Sequence, residues 1–391
     1  MRRRCTNYAI LLLGIILVIS LSACAGLLEL FSEPGPDVQW SRTFGDGGRN
    51  TYGNSVQQTT DGGYILCGRT ETPSEETVAW LIKTDADGNK LWDKIFNPRE
   101  VAWANSVQQT TDGGYIVCGT VIDHEEISIW CIWLMKTDAN GNKVWDKIFP
   151  GPERGGGASG ISVQQTTDGG YIACGESDDH VRLIKTDTEG YTIWDKTFVA
   201  QRMDRGNSVQ QTTDGGYIVC GWTRPLIVRM IGKPNVWLIK TDADGNKLWD
   251  KMFGGELYAE GASVQQTTDG GYIICGVGET EENIGDLAFL LMKTDANGNK
   301  VWDKIFNRGY GYSTQQTTDG GYILCGKTSL HAGWVIKTDA EGNKLWNKKI
   351  GKGFAWGNSV QQTADGGYVI CGGESSAGAN HVLLLKIAPE Q

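Results

Sequence analysis

From Val38 onward, apolar and polar positions alternate with a period of two in short runs broken by glycine and aspartate. The stretch SVQQTTDGGYILCG (55–68) predicts strand, tight Asp-Gly-Gly turn, strand, and WLIKTDADGNKLWDKIF (80–96) predicts strand, Gly-Asn turn, strand. This four-strand unit recurs. DGGY begins at Asp61, Asp112, Asp168, Asp214, Asp269, Asp319 and Asp365, a mean period of about 51 residues. No stretch after the leader shows helical periodicity, and four-stranded units of this length are propeller blades rather than solenoid turns.

The two ends of the array complement each other. The last copy stops at its third strand, His381 to Ile387, and lacks the KLWDKIF strand, while the chain opens on VQWSRTF (38–44), an orphan version of it. Counting both ends, the fourth-strand tryptophan occurs seven times, at 40, 92, 145, 194, 249, 302 and 346. The expectation is an all-β, seven-bladed β-propeller over residues 38–391, with four antiparallel strands per blade. It is closed by the N-terminal strand pairing with the last blade, which leaves no open array edge. Trp92 and Phe96 alternate with Leu91 and Ile95, so both faces of the fourth strand are expected to be buried between neighbouring blades.

Ahead of the array, Arg2, Arg3 and Arg4 precede an apolar run from Tyr8 to Leu21 that ends in Leu21-Ser22-Ala23-Cys24, the layout of a secretory signal. LSAC resembles the lipobox of bacterial lipoproteins. That resemblance implies a signal peptide over 1–23, a lipidated Cys24, a tether over 24–37, and attachment to the membrane through the N-terminal lipid. It places the protein in the cell envelope, outside the cytoplasm. Ala25 resembles outer-membrane sorting where the source has an outer membrane. An uncleaved membrane anchor is the alternative, because the run approaches the roughly 20 residues of a span.

The chain has 54 glycines and 15 tryptophans in 391 residues, which fits many short strands and tight turns, and a formal net charge of −10. Loss of the three leader arginines makes the balance more acidic still, which argues against an electrostatically driven nucleic-acid partner. The repeat resembles that of quinoprotein-like (PQQ-like) propellers, and SVQQTTDGGYI is similar to repeats of secreted bacterial and archaeal propellers. The vicinal Cys-Cys of quinone-dependent dehydrogenases is absent from the sequence, so none of their site residues transfers and no cofactor is expected.

The turn between third and fourth strands reads D-x-x-G-x-x-x-W, which misses the sialidase-type Asp-box by one residue twice. Asp85, Asp87 and Asn89 could offer oxygens to calcium. The middle position, however, runs Asp87, Asn140, Glu189, Asp244, Asn297, Glu341, and hydrogen-bonded Asx turns are expected instead of a metal. Seven of the eight cysteines after Cys24 occupy one second-strand position: Cys67, Cys118, Cys174, Cys220, Cys275, Cys325 and Cys371. Packed sheets lie about 10 Å apart, so these are expected to be buried and unbridged.

Candidate chemistry lies where the repeat stops repeating. The second-to-third loops and the links between copies share one face and vary. They carry Glu75, Glu76, Glu125, Glu126, Asp178, Asp179, Glu281 and Glu282 against Arg224, Arg229 and Lys233, and all four histidines, His124, His180, His331 and His381. No nucleophile triad or carboxylate pair stands out, so no catalytic residue is assigned. Three residues before each first-strand serine (threonine-flanked Ser313 included) the copies read Tyr52, Trp103, Ser159, Arg205, Glu260, Tyr310 and Trp356. In order around the array, Tyr310, Trp356, Tyr52 and Trp103 form an aromatic arc, with a polar arc opposite. The expected function is non-enzymatic binding of an envelope protein or glycan at these positions. The alternatives are a hydrolase or lyase on the same scaffold, a purely structural or adhesive role, and rings that merely plug the channel.

Overall fold

The computed structural model describes residues 33–45, 48–123, 129–151, 157–227, 230–376 and 378–390. The leader, Cys24, His124, Glu125, Glu126 and Arg229 lie outside them. Strands form where the alternation predicts. Thr51–Gln58, Tyr64–Glu71, Thr77–Thr84 and Lys90–Phe96 pair antiparallel in chain order, and the later copies repeat the pattern. Five sheets have four strands each. An eight-stranded sheet joins the fifth and sixth copies, because the 17-residue strand Lys300–Gln316 is the outer strand of one and the innermost of the next. The orphan strand Val38–Phe44 pairs antiparallel with Ala379–Ile387, Ser41 opposite Leu385 and Phe44 opposite Val382.

Each Asp-Gly-Gly turn is built from its own side chains. Gly62 takes φ +84°, a conformation that suits glycine, and a Cβ on Gly63 would sit 2.2 Å from the Thr84 carbonyl oxygen. Asp61 accepts from Thr59 Oγ1 (2.5 Å) and the Gly63 amide (3.0 Å), and Lys83, buried at 4% exposure, reaches it at 2.9 Å. All seven copies make this aspartate–lysine pair. Burial alone would raise the Asp61 carboxyl, but the bonds from Thr59, Lys83 and Gly63 outweigh it and hold it at about 2.

Successive copies are stitched by the paired glutamines. Gln109 donates its amide to Gln57 Oε1 at 2.5 Å, and Gln109 Oε1 accepts the Thr60 amide at 2.8 Å. The same two bonds recur at every junction. At the last, Gln58 donates to Gln361 (2.6 Å) while Ala364 donates back to Gln58 (2.8 Å), which links the seventh copy to the first. The outer-strand tryptophans dock across the same junctions. Trp40 meets Tyr64 edge-on at 5.7 Å and lies where a Cβ on Gly88 would approach within 2.6 Å, and Gly88 itself has φ +76°.

The repeated cysteines are buried and free, as expected. Cys371 Sγ lies 2.6 Å from where a Cβ on Gly53 of the next copy would stand, so the position takes a small side chain facing glycine. Burial pushes these thiols well up, which removes thiolate reactivity.

Two expectations need correction. Leu91 and Ile95 are exposed, at 59% and 57%, so the outer strand buries only its tryptophan face. The second and third strands are buried along most of their length, whereas the outermost strand carries one exposed face. Nor is the segment 24–37 wholly a free tether. Glu33–Pro34 pairs parallel with the outer strand Lys344–Ile350, and Lys348 Nζ donates to the carbonyls of Gly35 (3.1 Å) and Pro36 (2.6 Å). Gly35 packs on Trp346 as Gly88 packs on Trp40. It fills the place of a turn glycine that the truncated last copy lacks.

Candidate functional site

At the axis, the innermost strands leave a throat of about 250 Å³ lined by Val56, Gln57 and their counterparts in every copy. On the variable face it opens into a mouth formed by the strand-start residues. All seven of these, from Tyr52 to Trp356, are half-buried. The bulge between Gly53 and Ser55 sets Tyr52 opposite Arg69 on the second strand, and the same offset sets Tyr310 opposite Lys327 and Ser159 opposite Glu176.

The aromatic arc is brought together. Tyr52 and Trp356 have centroids 6.2 Å apart at 32°. The Arg69 guanidinium lies 4.3 Å from the Tyr52 centroid and 5.3 Å from that of Trp103, spanning the first two copies. Tyr310 stacks on Tyr312 at 6.5 Å, and Lys327 Nζ sits 5.3 and 5.9 Å from their centroids. Trp103 packs edge-on against Trp130 at 4.9 Å. Beside this arc is a cavity of about 480 Å³ lined by Tyr52, Tyr312, Lys327, His331, Phe354, Ala355, Trp356, Asn358 and Ser375. The rings therefore leave room in front of them. Of the strand-start residues, only Tyr52 and Trp356 line this cavity.

The polar arc is paired with second-strand side chains. Arg205 Nε lies 3.2 Å from Glu176, and Arg224 lies 3.4 Å from Glu260, which also accepts from Tyr258 OH at 2.5 Å. Burial and the Glu260 carboxylate push the Tyr258 phenol up. Strand-start positions alone predict Glu260 as the sole carboxylate at the mouth, but the second strand adds Glu176. Arg69, Lys327 and Glu176 were missed for one reason: each stands two residues after a repeated cysteine, opposite the strand-start residue once the bulge is counted. Tyr312 stands where four copies have an asparagine, Asn54, Asn105, Asn207 and Asn358, that bonds to the next copy, as Asn358 Nδ2 does to Gly53 O at 2.8 Å.

The three described histidines do not converge. His331 lines the cavity against Phe354 (5.5 Å). His180 Nδ1 is 3.4 Å from Asp204, a buried carboxylate already accepting from Thr223 Oγ1 (2.5 Å) and the Ala200 amide (2.9 Å). His381 lies beside Gly45. Among the described residues no three metal-ligating side chains cluster. In the third-to-fourth turn Asp85 takes the amides of Asp87 (3.0 Å) and Asn89 (2.8 Å) and the Asn89 side chain (2.9 Å), which is the Asx arrangement. The variable-face charges divide. Lys233 pairs with Glu279 (2.6 Å), while Glu75, Glu76, Asp178, Asp179, Glu281 and Glu282 are exposed.

No protein-family model matches the sequence, and no curated protein matches it. Solved structures do. The chain is similar to the Neurospora crassa Pan2 WD40 domain (10% identity, TM-score 0.58, covering 92% of this chain and 98% of that one). It is similar to a Dyadobacter fermentans protein of unknown function (11% identity, TM-score 0.53, 92% and 100% covered). Chaetomium thermophilum Sqt1, solved bound to the N-terminus of ribosomal protein L10, is also similar (11% identity, TM-score 0.53, 90% and 100% covered). At these identities the likeness shows fold alone: this is an all-β chain of four-stranded antiparallel repeats with a β-propeller fold.

Proposed function

We propose that this chain is a seven-bladed, lipid-anchored envelope propeller with quinoprotein-like repeats that binds a protein or glycan partner through the mouth on its variable face, without chemistry on it. The seven glutamine junctions, the last returning to the first copy, support the blade count and the closure. The observation that carries the binding reading is the contrast across the mouth. Tyr52, Trp356 and Tyr312 wall an open cavity, whereas the carboxylates a hydrolase would employ, Glu176 and Glu260, are occupied by arginines.

The docking of Glu33–Pro34 supports an orientation. Glu33 pairs beside Trp346, two residues after the outer strand leaves the third-to-fourth turn, so the chain approaches from the invariant face. Eight residues lie between Cys24 and Glu33, and the nine steps of chain reach at most about 32 Å. The invariant face then lies toward the membrane and the mouth points away from it.

Two experiments test this. Trp103→Ala with Trp356→Ala is expected to abolish capture of envelope partners with little change in melting, and a large stability loss with capture intact would refute it. Cys24→Ala is expected to release the protein from membranes or block its processing, and an unmodified Cys24 in the mass spectrum of the mature protein would refute the anchor.

A further inference from the structure

We infer that the cavity at the junction of the sixth, seventh and first copies binds a carboxylated sugar, a hexuronic-acid unit of an acidic glycan. The inference rests on reading the mouth as a binding site and names its ligand class. It starts from an imbalance of charge. The buried repeat lysines are all matched by aspartates, and at the mouth Arg205 and Arg224 are matched by Glu176 and Glu260. Lys327 is different. Its ammonium lies over two tyrosine rings, no carboxylate stands within ion-pair distance among the described residues, and none lines the cavity. Arg69, next along the arc, is likewise held by rings. In a chain of net charge −10, the aromatic arc is thus a local cationic site awaiting an anion.

The walls select the rest of the ligand. Tyr52 and Trp356 line the cavity with their rings tilted 32° to each other, and Asn358 and Ser375, whose side chains also bond Gly53 O and Asn380 Oδ1, add polar groups to the lining. The lining contains no leucine, isoleucine, valine or methionine to receive the aliphatic anchor of a peptide. A pyranose carries C–H groups that lie flat on aromatic rings and hydroxyls at its rim, and a uronic acid adds one carboxylate for Lys327. An acidic peptide would satisfy Lys327 and leave the ring faces uncovered. The volume, about 480 Å³, falls within the roughly 300–1,000 Å³ of small-ligand sites.

Calorimetry on the full-length protein in detergent, with trigalacturonate, trimannuronate and triglucuronate, tests the inference against the methyl ester of each and against hexaglutamate. At least one hexuronate is expected to bind, with its neutral ester at least roughly tenfold weaker. Lys327→Gln should erase that difference and Lys327→Arg retain it, while Tyr52→Ala and Trp356→Ala remove binding of both forms. Equal binding of the ester, preference for hexaglutamate, or no hexuronate binding overturns the inference. If partner capture still depends on Trp103 and Trp356, only the ligand class falls; if capture ignores them, the binding reading falls with it.

Discussion

On the face carrying the first-to-second and third-to-fourth turns, every copy makes the same bonds, threonine and lysine to aspartate and glutamine to the next copy, and each outer-strand tryptophan packs on a glycine, six on a turn glycine and Trp346 on Gly35. On the opposite face the contacts vary from copy to copy. Tyr52 lies under an arginine, Trp103 against a tryptophan, Arg205 on a glutamate and Glu260 under a tyrosine. The difference has a physical source. Most side chains of QQTTDGGY have a partner within their turn or across a junction, so changing one costs a bond, whereas the second threonine bonds through its backbone amide and the seventh copy carries Ala364 there. The strand-start residues also touch across junctions, Tyr52 to Trp356 and Arg205 to Glu176, but by a different contact at each, so no shared bond fixes their identity and a binding surface can be assembled from them.

Four perturbations sharpen that contrast, in falling order of expected effect on stability. Deleting residues 38–44 leaves Ala379–Ile387 as an unpaired edge and removes Phe44, whose burial alone is worth about 3–5 kcal/mol. Aggregation or loss of a cooperative melt is expected by size-exclusion chromatography and calorimetry; a deletion that melts like the parent would mean the array closes otherwise. Next, Gly141→Val forces a Cβ at φ +75° to within 2.7 Å of Trp92 and should cost about 1–3 kcal/mol or more by denaturant titration.

Acid should act on the invariant face in a defined window. Asp61, Asp112, Asp214 and Asp269 are held down at about 2, from 3.8, because bonds from threonine, lysine and a glycine amide outweigh the burial that would raise them. Their folded values lie below their unfolded ones, so the stability they contribute is complete above about pH 4 and is lost as pH falls through about 2. The melting temperature is expected to drop between those values, and one that stays level to pH 2 would show that these pairs contribute nothing. Arg69→Ala, on the variable face, should change stability by no more than about 0.5 kcal/mol yet weaken partner capture. A larger stability loss would make the arc part of the scaffold.

Much of the scaffold was legible in the sequence. A missing strand at one end and an orphan at the other can be counted, and 38–44 pairs where that count places it. The glutamine junctions were not legible. Gln57 and Gln58 fit the strand alternation, and the bonds that join copies run between residues some 50 positions apart in sequence. Arg69 and Lys327 were recoverable from the cysteine register but not from the strand-start column alone. Leu91 and Ile95 misled because alternation reports which residues share a face, not whether a neighbouring sheet reaches far enough to cover it. The docking of Gly35 on Trp346 substitutes for an absent turn, and a tether of prolines and glycine gives no periodic sign of it.

The division of labour between faces can be tested by photo-cross-linking in intact cells, with a photoreactive residue placed at Phe354 or Leu330 on the variable face and at Asp87 or Asn140 on the other. All four positions are exposed. Cross-linked partner adducts are predicted from Phe354 and Leu330 and none from Asp87 or Asn140; adducts from Asp87 or Asn140, with none around the mouth, would contradict the account.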